Sequence, residues 1–537
     1  PEETTALPGQ FVTIPDDSGL SNSGSSFGGW NDEDSNHYSA GQIIAMPANA
    51  LTLTPAWGHV EVELELGKVN YAEANGNQMS PNAKAGKGKL LNFVDVQLGG
   101  DEIVAIDAIH SVQVVDDAVP YNTTPLQEDP NKIEITDPEL KDTVLYARHV
   151  GATADDAVVA YLKQCDCEGW NTEKYDLIIA GPGGVVAPAD MYGWMSAWGD
   201  VWTDFVERMD LSALDTSQVT NMSSMFYNCQ NLTTLDLSNF DTTKVEKATS
   251  MFEWSTRLTE ITFGEKCTFE NATDLGAMFN NCQSVKKLDV SSFNKEKAMF
   301  QTCPKLEKII FGDNFNTFNV TTMANMFWNC SGLISLDISH FDTSNVTNMG
   351  TMFAYCSGLT SLDLTNFNTS KVTKMSCMFE GCPGLTSLTL SESFDTSKVT
   401  DMSQMFCKCS KLTNLTLPES FNTSNVVNMS RMFQACSSLT DLTLPKAFDT
   451  SKVENMQAMF ADNYNLETVD FSQAEFDTSS VTTMIYLFSM DKALKEVKLG
   501  DQFYLQNVQN LSATFSGCSN LETIDGDLIF SAAMDNQ

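Results

Sequence analysis

The C-terminal three-fifths of the chain repeats one order of apolar and polar positions. In one copy, residues 359–364 read Leu-Thr-Ser-Leu-Asp-Leu, and this alternation predicts a half-buried β-strand. The Asn368-Thr-Ser segment that follows predicts a turn held by side-chain hydrogen bonds. Val372, Met375 and Met378 are then spaced by three residues, which predicts a short helical or 3₁₀ return segment.

A Met-Phe pair marks each repeat. Most pairs follow the preceding one after 26 or 27 residues, and the pair degenerates to Leu487-Phe488 and Thr514-Phe515 near the C-terminus. A fixed period of this length predicts a solenoid, in which each unit buries its apolar face by stacking on its neighbours. The methionines of the intact pairs are Met225, Met251, Met278, Met299, Met326, Met352, Met378, Met405, Met432 and Met459.

The pattern M-F-x-x-C-x-x-L-x-x-L-D-L-x-x-F-D-T-S-x-V-x-x-M resembles the BspA-like leucine-rich repeat, the "bacterial surface protein" repeat, over residues 210–534. The resemblance implies a secreted or wall-attached protein that adheres to host matrix proteins or other cells. The unit that starts at Met278 lacks the D-T-S-x-V return at residues 291–298. We expect that unit to be shortened, and it is a candidate position for a kink.

Two polar columns within the repeat are predicted to be structural. A cysteine column has one member per unit with parallel Cβ vectors, a poor disulfide geometry, so we expect free buried thiols. Ser255, Asn463 and Asp491 replace cysteine in three units, whereas Cys377 and Cys407 stand outside the column, where they are candidates for positions nearer the surface. The column members are Cys229, Cys282, Cys303, Cys330, Cys356, Cys382, Cys409, Cys436 and Cys518.

The second column is an Asn/Asp position in the F-D/N-T-S turn. Calcium sites need several converging carboxylates, and Asn alternates freely with Asp here, so we expect turn caps and no metal. The members are Asp241, Asn316, Asp342, Asn368, Asp395, Asn422, Asp449 and Asp477.

The outward positions of the strands form the candidate ligand surface, which we call the strand lane. It is rich in Ser, Thr, Asp and Asn and poor in the aromatic residues that anchor tight protein interfaces, so a solvated face is an equal alternative. The strand lane comprises Thr234, Asp236, Ser335, Asp337, Ser361, Asp363, Ser387, Thr389, Asn414, Thr416, Asp441, Thr443, Thr468 and Asp470.

Two N-terminal segments look like copies of one module. Residues 27–57 and 167–198 share Gly-Trp, Ala-Gly, Pro-Ala and Ala-Trp elements at nearly equal spacing, and they resemble the Listeria-Bacteroides surface repeat, a β-grasp-like stalk module. Their tryptophans are therefore expected in the core. Cys165-Asp-Cys167 is interpreted as a core thiol with a neighbour rather than a metal site. The four tryptophans are Trp30, Trp57, Trp170 and Trp198.

The predicted fold is multidomain, with β-rich and β-grasp-like modules before a leucine-rich-repeat solenoid of parallel strands and short helical or 3₁₀ returns. Residues 1–58 form a β-grasp-like repeat that is N-terminally incomplete, and residues 59–142 form a β-rich domain of unknown type. A second, degenerate β-grasp-like repeat covers 143–199, and the solenoid covers 200–537. The last repeat has no evident polar cap, so we expect the chain to be part of a longer polypeptide.

Composition narrows the function classes. A formal charge of −39 argues against binding to nucleic acid. The sequence has no run of 18 apolar residues, so we expect no membrane-spanning helix. The five histidines are scattered and form no catalytic motif, so we expect no enzyme and no cofactor.

The resemblance implies an extracellular adhesion or recognition protein, on a cell surface or secreted. Its stalk modules would present the solenoid to a protein or glycan ligand on another cell or in a matrix. The alternative is a structural subunit of a virion fibre or cell-surface filament, located on a virion or cell surface, which self-associates through the solenoid.

Overall fold

The computed structural model forms two compact units, which are described separately. The first contains Pro1–Ala248 and Ile261–Ala272, and the second contains Thr249–Glu260 and Thr273–Gln537. Before residue 110 only the backbone of short strands is described. The other described residues are 110–117, 119–122, 133–140, 143–149, 159–165, 175–181, 185–187, 189–194, 206–293, 300–313, 315, 317–413, 415–500 and 502–526.

All regular elements of the described residues are β-strands. The strands up to residue 215 are β1 Phe11–Thr13, β2 Phe27–Asn31, β3 His37–Tyr38, β4 Ile43–Ala45, β5 Thr54–Trp57, β6 Gln97–Leu98, β7 Glu102–Ile103, β8 Ile109–Val115, β9 Tyr121–Asn122, β10 Glu134–Ile135, β11 Val144–His149, β12 Val159–Gln164, β13 Tyr175–Ala180, β14 Val185–Val186, β15 Arg208–Asp210 and β16 Leu214–Asp215. Those of the later repeats are β17 Thr234–Leu237, β18 Glu260–Phe263, β19 Lys287–Val290, β20 Lys308–Phe311, β21 Ser361–Leu364, β22 Ser387–Leu390, β23 Asp441–Thr443, β24 Thr468–Asp470, β25 Glu496–Lys498 and β26 Thr523–Asp525.

The largest sheet of the first unit has the order β11-β12-β13-β8-β15. The pairs β11–β12 and β12–β13 are antiparallel, whereas β8 pairs in parallel with both β13 and β15. A buried cluster that includes Val159, Tyr161 and Ile178 packs on this sheet. The strands of this sheet lie on both sides of the predicted domain boundaries after residues 142 and 199.

The structure does not test the two predicted β-grasp-like modules near the N-terminus. In the first segment, β2 pairs antiparallel with β3 and β5, and β1 pairs with β4. The side chains of Trp30 and Trp57, and all of Trp170 and Trp198, lie outside the described residues. The β-grasp-like geometry predicted for these segments is therefore untested.

The repeat strands of the second unit have the predicted inward and outward positions. Leu362 and Leu364 are buried, Ser361 and Asp363 are exposed, and β21 pairs in parallel with β22 in register, so that Leu362 faces Leu388. Parallel pairs also join β19 with β20 and run through β23-β24-β25-β26. Residues 335–338 and 415–417 are not regular strands, so the ladder of strands is interrupted at these two repeats.

The return segments are built from turns, so the prediction of helical or 3₁₀ geometry is wrong for the described residues. In one repeat, alternate N–H groups donate to the next repeat, from Thr351 to Ser376 O and from Phe353 to Met378 O, both at 2.9 Å. A helix would direct these groups along its own axis. Thr351 and Tyr355 have φ values of 57° and 61°, in the left-handed region that interrupts a right-handed helix.

The phenylalanines of the Met-Phe pairs form one stack within the second unit, from Phe252 to Phe515. Phe353 lies with its ring centroid 5.6 Å from that of Phe327 and 5.8 Å from that of Phe379, with near-parallel planes. Every ring of the stack except Phe515 is fully buried, and full burial of one such ring contributes about 1.5–3 kcal/mol. The predicted stacking of repeats is therefore confirmed, including the degenerate pairs near the C-terminus.

The irregular unit after Met278 stays in this stack. Phe300 lies 5.8 Å from Phe279 and 5.7 Å from Phe327 between ring centroids. Residues 294–299, where the shortening is expected, lie outside the described residues, so the predicted kink is untested.

The threonine of each F-D/N-T-S turn forms a second ladder that the sequence reasoning missed. Thr343 is 1% exposed, its Oγ1 donates to Asn368 O at 2.9 Å, and the Asn368 N–H donates back to this Oγ1 at 2.8 Å. A buried hydroxyl therefore satisfies two backbone groups of the next turn. The threonines of the second unit that donate in this way are Thr317, Thr343, Thr369, Thr396, Thr423, Thr450 and Thr478.

Candidate functional site

The strand lane is mostly exposed where it is described. Thr234 and Asp236 are exposed in the first unit. In the second unit the lane residues from Ser335 to Thr443 are exposed, except that Asn414 lies outside the described residues, and Thr468 and Asp470 are half-buried. The structure therefore places these side chains where a ligand can reach them, and their binding role stays a prediction.

Strand pairing aligns several lane residues in rows across neighbouring strands. Ser361 lies opposite Ser387, and Asp363 lies opposite Thr389. Parallel strands are about 4.8 Å apart, so equivalent side chains on neighbouring strands can contact the same ligand. Ser335, Asp337 and Thr416 lie in the two repeats that interrupt the strand ladder. The lane consequently consists of short rows of aligned side chains rather than one continuous surface.

The lane aspartates also have a structural role. Asp337 Oδ1 accepts hydrogen bonds from the Ser339 N–H at 3.1 Å and from the Ser339 hydroxyl at 2.7 Å. These bonds hold the pKa of Asp337 below its ordinary value. Asp363 Oδ1 accepts from the Thr365 N–H at 2.9 Å in the same way. Each of these side chains therefore fixes the turn that follows it.

The lane continues beyond the residues that the sequence reasoning selected. Register places Lys498 opposite Asp470, with Nζ 3.4 Å from the Asp470 Oδ2. Burial alone would raise the pKa of Asp470, but hydrogen bonds from Ser472 and Lys498 outweigh it and lower that pKa. Lys495 Nζ lies 2.7 Å from Glu467 Oε2 nearby. This end of the lane therefore contains lysines as well as carboxylates. The L-x-x-L-x-L pattern did not predict these lysines as lane residues, because they depart from its Ser/Thr/Asp composition.

The cysteine column is confirmed as a column of free thiols. Eight of its nine members are buried, and Cys518 is half-buried. Cys356 Sγ donates to the Phe327 carbonyl at 3.0 Å, and Cys382 Sγ donates to the Phe353 carbonyl at 3.1 Å. Burial raises the pKa of Cys382 to about 12, which leaves little reactive thiolate. Each thiol thus joins one repeat to the preceding one.

Cys377 and Cys407 differ in exposure. Cys377 is half-buried, as expected outside the column, whereas Cys407 is only 2% exposed. Burial raises the pKa of Cys377 to about 12, with Glu380 adding to the shift. Neither thiol is therefore an activated nucleophile.

The Asn/Asp column is confirmed as a column of turn caps. Asp342 Oδ1 accepts from the Ser344 N–H at 2.9 Å, and Asn368 Oδ1 accepts from the Ser370 N–H at 3.1 Å. Because Asn and Asp make the same bond, the position needs an oxygen acceptor and not a charge. Asn316 lies outside the described residues, and the same bond is made at Asp241, Asp395, Asn422, Asp449 and Asp477.

A cluster of polar residues around Cys165 in the first unit was not predicted from the sequence. His110 Nδ1 lies 3.7 Å from Cys165 Sγ and 3.5 Å from Asp176 Oδ1. Cys165 is disulfide-bonded rather than the free core thiol that was expected, so it offers no thiolate ligand. The Ser111 hydroxyl donates to Asp176 Oδ1 at 2.6 Å. The cluster therefore contains the residue types of a metal site, but its sulfur atom is not available as a ligand.

Two of the solved structures that are similar to the chain are leucine-rich repeat proteins, and the TM-scores of these matches are low. A leucine-rich repeat protein from Bacteroides ovatus is 15% identical with a TM-score of 0.26, over 68% of this chain and 98% of that chain. One from Eubacterium ventriosum is 14% identical with a TM-score of 0.28, over 68% and 82%. The TLR13–ssRNA13 complex is 16% identical with a TM-score of 0.22, over 60% and 51%. No curated protein matches the chain.

No helix among the described residues is long and apolar enough to cross a lipid bilayer. One family model covers the repeat region. It is described as "Mycoplasma protein of unknown function, DUF285", and it matches residues 200–293, 294–414, 386–474 and 417–527. Since these matches span more than half of the chain, the protein belongs to the DUF285 family.

Proposed function

We propose that the protein is an extracellular recognition protein, on a cell surface or secreted, whose repeats present the strand lane to a protein or glycan ligand. One observation carries this proposal: polar side chains such as Asp363 and Thr389 are exposed in register on strands whose inner faces are anchored by buried leucines. A surface on a rigid scaffold loses little conformational entropy on binding. The role is binding and not catalysis.

The charge of the chain and its disulfide support the extracellular location. A net charge of −39 keeps a protein soluble in a medium rich in salt and divalent cations. The disulfide at Cys165 is a bond that persists in oxidising compartments. A virion surface has the same chemistry and is the alternative location.

The test of the strand lane is a binding screen against matrix proteins and glycans, followed by a triple variant, Asp337→Lys, Asp363→Lys and Asp441→Lys. We expect the variant to lose binding, because three carboxylates of the lane reverse their charge. A second triple variant with Asn at these positions keeps a side-chain oxygen acceptor and removes only the charge, which separates recognition from local stability.

The matched control reverses three exposed acidic side chains outside the lane, Glu419→Lys, Glu454→Lys and Glu475→Lys, and so changes the net charge equally. Binding should survive in this control. If binding also survives in the lane variant, the lane is not the ligand surface. Self-association of the native protein without ligand, measured by mass photometry, would favour the filament or fibre alternative.

A further inference from the structure

The return segments of the second unit carry aromatic side chains that the strand lane lacks. Trp254 is 44% exposed, Tyr355 is 37% exposed, and Trp328 is half-buried. All three stand between the phenylalanine of a Met-Phe pair and the position of the cysteine column. We call the two residues at this place in each repeat, from Glu253-Trp254 to Glu380-Gly381, the return strip.

The backbone aligns the return strip from repeat to repeat. The Trp254 N–H donates to Asn280 O at 2.9 Å, and the Thr302 N–H donates to Trp328 O at 2.7 Å. The Asn281 N–H donates to Gln301 O at 2.9 Å and continues the same ladder between them. Trp254 and Trp328 are three repeats apart, roughly 15 Å at the usual strand spacing. Trp254 is the second residue of its pair and Trp328 the first, and the backbone ladder sets their separation along the repeats.

Amide and hydroxyl side chains occupy the strip between the two tryptophans. Asn280, Gln301 and Thr302 are half-buried, so part of each side chain reaches solvent. The Asn280 Nδ2 donates to Glu253 Oε1 at 2.5 Å, which orients the amide beside Trp254. Amides and carboxylates together supply both donors and acceptors for the hydroxyl groups of a ligand.

The far end of the strip is fixed before any ligand binds. Tyr355 donates its hydroxyl to Glu380 Oε1 at 2.7 Å, and its ring meets that of Trp328 edge-on, with centroids 6.3 Å apart. The ring also lies over Gly381, where an added Cβ would stand 2.6 Å from Tyr355 Cδ1. Side chains held in this way lose little rotamer entropy on binding.

Charge restricts the class of ligand. The strip contains no Lys or Arg from Glu253-Trp254 to Glu380-Gly381, and it contains two carboxylates, Glu253 and Glu380. The net charge of −39 also repels anions. A neutral ligand with apolar faces and many hydroxyl groups is complementary to aromatic rings that have amides between them.

We propose that the return strip binds a neutral, linear oligosaccharide. The C–H faces of its end sugars stack on Trp254 and on the Trp328–Tyr355 pair, and its hydroxyl groups bond to the amides between them. The rise of a β-linked sugar residue is close to the spacing of one repeat, so a short chain spans the strip. This surface is separate from the strand lane and does not depend on it.

The experiment is calorimetric titration of the full chain with cellohexaose, xylohexaose and mannohexaose, and with a hyaluronan hexasaccharide as an anionic probe. We expect saturable binding of at least one neutral hexaose and none of hyaluronan. Trp254→Ala and Trp328→Ala should each weaken binding roughly 2- to 10-fold, the loss of one aromatic stack. Trp254→Phe should retain most of the affinity, because it keeps a stacking ring.

Tyr486→Ala is the matched control, because Tyr486 is 47% exposed and stands outside the strip. The lane triple variant should also keep hexaose binding, which makes failure of this proposal distinguishable from failure of the strand lane. The proposal is overturned if none of the three neutral hexaoses binds, or if the two tryptophan variants bind as the native protein does. It is also overturned if hyaluronan binds equally well, or if only the lane variant loses binding.

Discussion

The backbone N–H of Asn463 donates to Asp491 Oδ1 at 2.8 Å, so two buried polar residues meet where neighbouring repeats have cysteine. Asn463 Nδ2 donates to the Phe433 carbonyl at 3.1 Å, as Cys436 Sγ does to the Phe406 carbonyl. Asp491 can be a donor only as the protonated acid. Its fully buried Oδ2 makes no hydrogen bond to any residue that the structure describes.

This arrangement predicts a stability that falls as pH rises. Burial raises the pKa of Asp491 from its ordinary value to about 9, against the opposing effect of the Asn463 N–H. The unfolded chain loses this proton near pH 4, whereas the folded chain keeps it to about pH 9. Between these values the unfolded state binds fewer protons, so the free energy of unfolding decreases with increasing pH.

Asp491→Asn removes the titration and supplies an amide donor. We expect its gain in stability to be larger at pH 8 than at pH 5 by on the order of 4 kcal/mol, from three pH units of linkage. Urea denaturation at the two pH values measures the difference. Glu419→Gln, which removes an exposed carboxyl group in another repeat, is the control and should show a much smaller pH effect. Equal gains for Asp491→Asn at both pH values would contradict the prediction.

The buried threonine ladder predicts a large cost for a small substitution. Thr343→Val keeps the side-chain shape but leaves the Asn368 N–H and C=O without the Thr343 Oγ1 partner. Both bonds are partly buried, and each such bond contributes about 0.5–1.5 kcal/mol, so we expect a loss of about 1–3 kcal/mol in the free energy of unfolding.

Thr347→Val is the matched control for this measurement. The Thr347 Oγ1 also donates to a backbone carbonyl, that of Thr321 at 3.0 Å, but Thr347 is exposed and water can replace the bond. Its loss in urea denaturation should be under about 1 kcal/mol. Similar losses for the two variants would show that burial is not what makes the Thr343 bonds important.

The repeat columns were predictable because their chemistry is visible in side chains. Alternation placed Leu362 inward and Asp363 outward, and one cysteine per repeat indicated an axial row. The backbone of the returns was not predictable in the same way. The left-handed residues include Thr351 and Tyr355, which carry no sequence signal for positive φ. Only an occasional glycine or asparagine, such as Gly381 or Asn329, marks the position.

Contacts between segments that are far apart in the chain could not be predicted from the sequence either. His110 and Cys165 are 55 residues apart, and they meet only because β8 joins the same sheet as β12 and β13. The threonine ladder did have a signal: Thr is retained in the F-D/N-T-S turns while the preceding residue alternates between Asn and Asp. That difference between the two positions indicates a side chain with a more specific partner.

The thiols predict selective protection from alkylation. In the native protein at pH 8, iodoacetamide should leave the eight buried members of the cysteine column unmodified, because these thiols are inaccessible to the reagent. Half-buried Cys377 should react slowly, since burial, and then the charge of Glu380, raise its pKa to about 12. Peptide mass spectrometry of time points measures the rates.

Glu380→Gln tests the electrostatic part of this protection. Removing the carboxylate beside Cys377 lowers the pKa of the thiol, so its alkylation should become faster. Glu419→Gln, an exposed acid in another part of the repeats, should leave the rate unchanged. A rate that responds equally to both substitutions would assign the effect to overall charge rather than to Glu380.

Tyr355 and Gly381 predict a coupled effect on stability. Gly381 has φ 68°, and an added Cβ would lie 2.6 Å from Tyr355 Cδ1, so Gly381→Ala must displace the ring. We expect a loss of about 1–3 kcal/mol, from left-handed strain and overpacking together. In a Tyr355→Ala background the overpacking disappears, so the loss from Gly381→Ala should decrease to the strain alone.

Ala435→Gly measures that strain separately, because Ala435 has φ 58° at the same position of a later repeat. Urea denaturation of the double-mutant cycle gives the coupling free energy. A coupling near zero would mean that the ring is not held against Gly381.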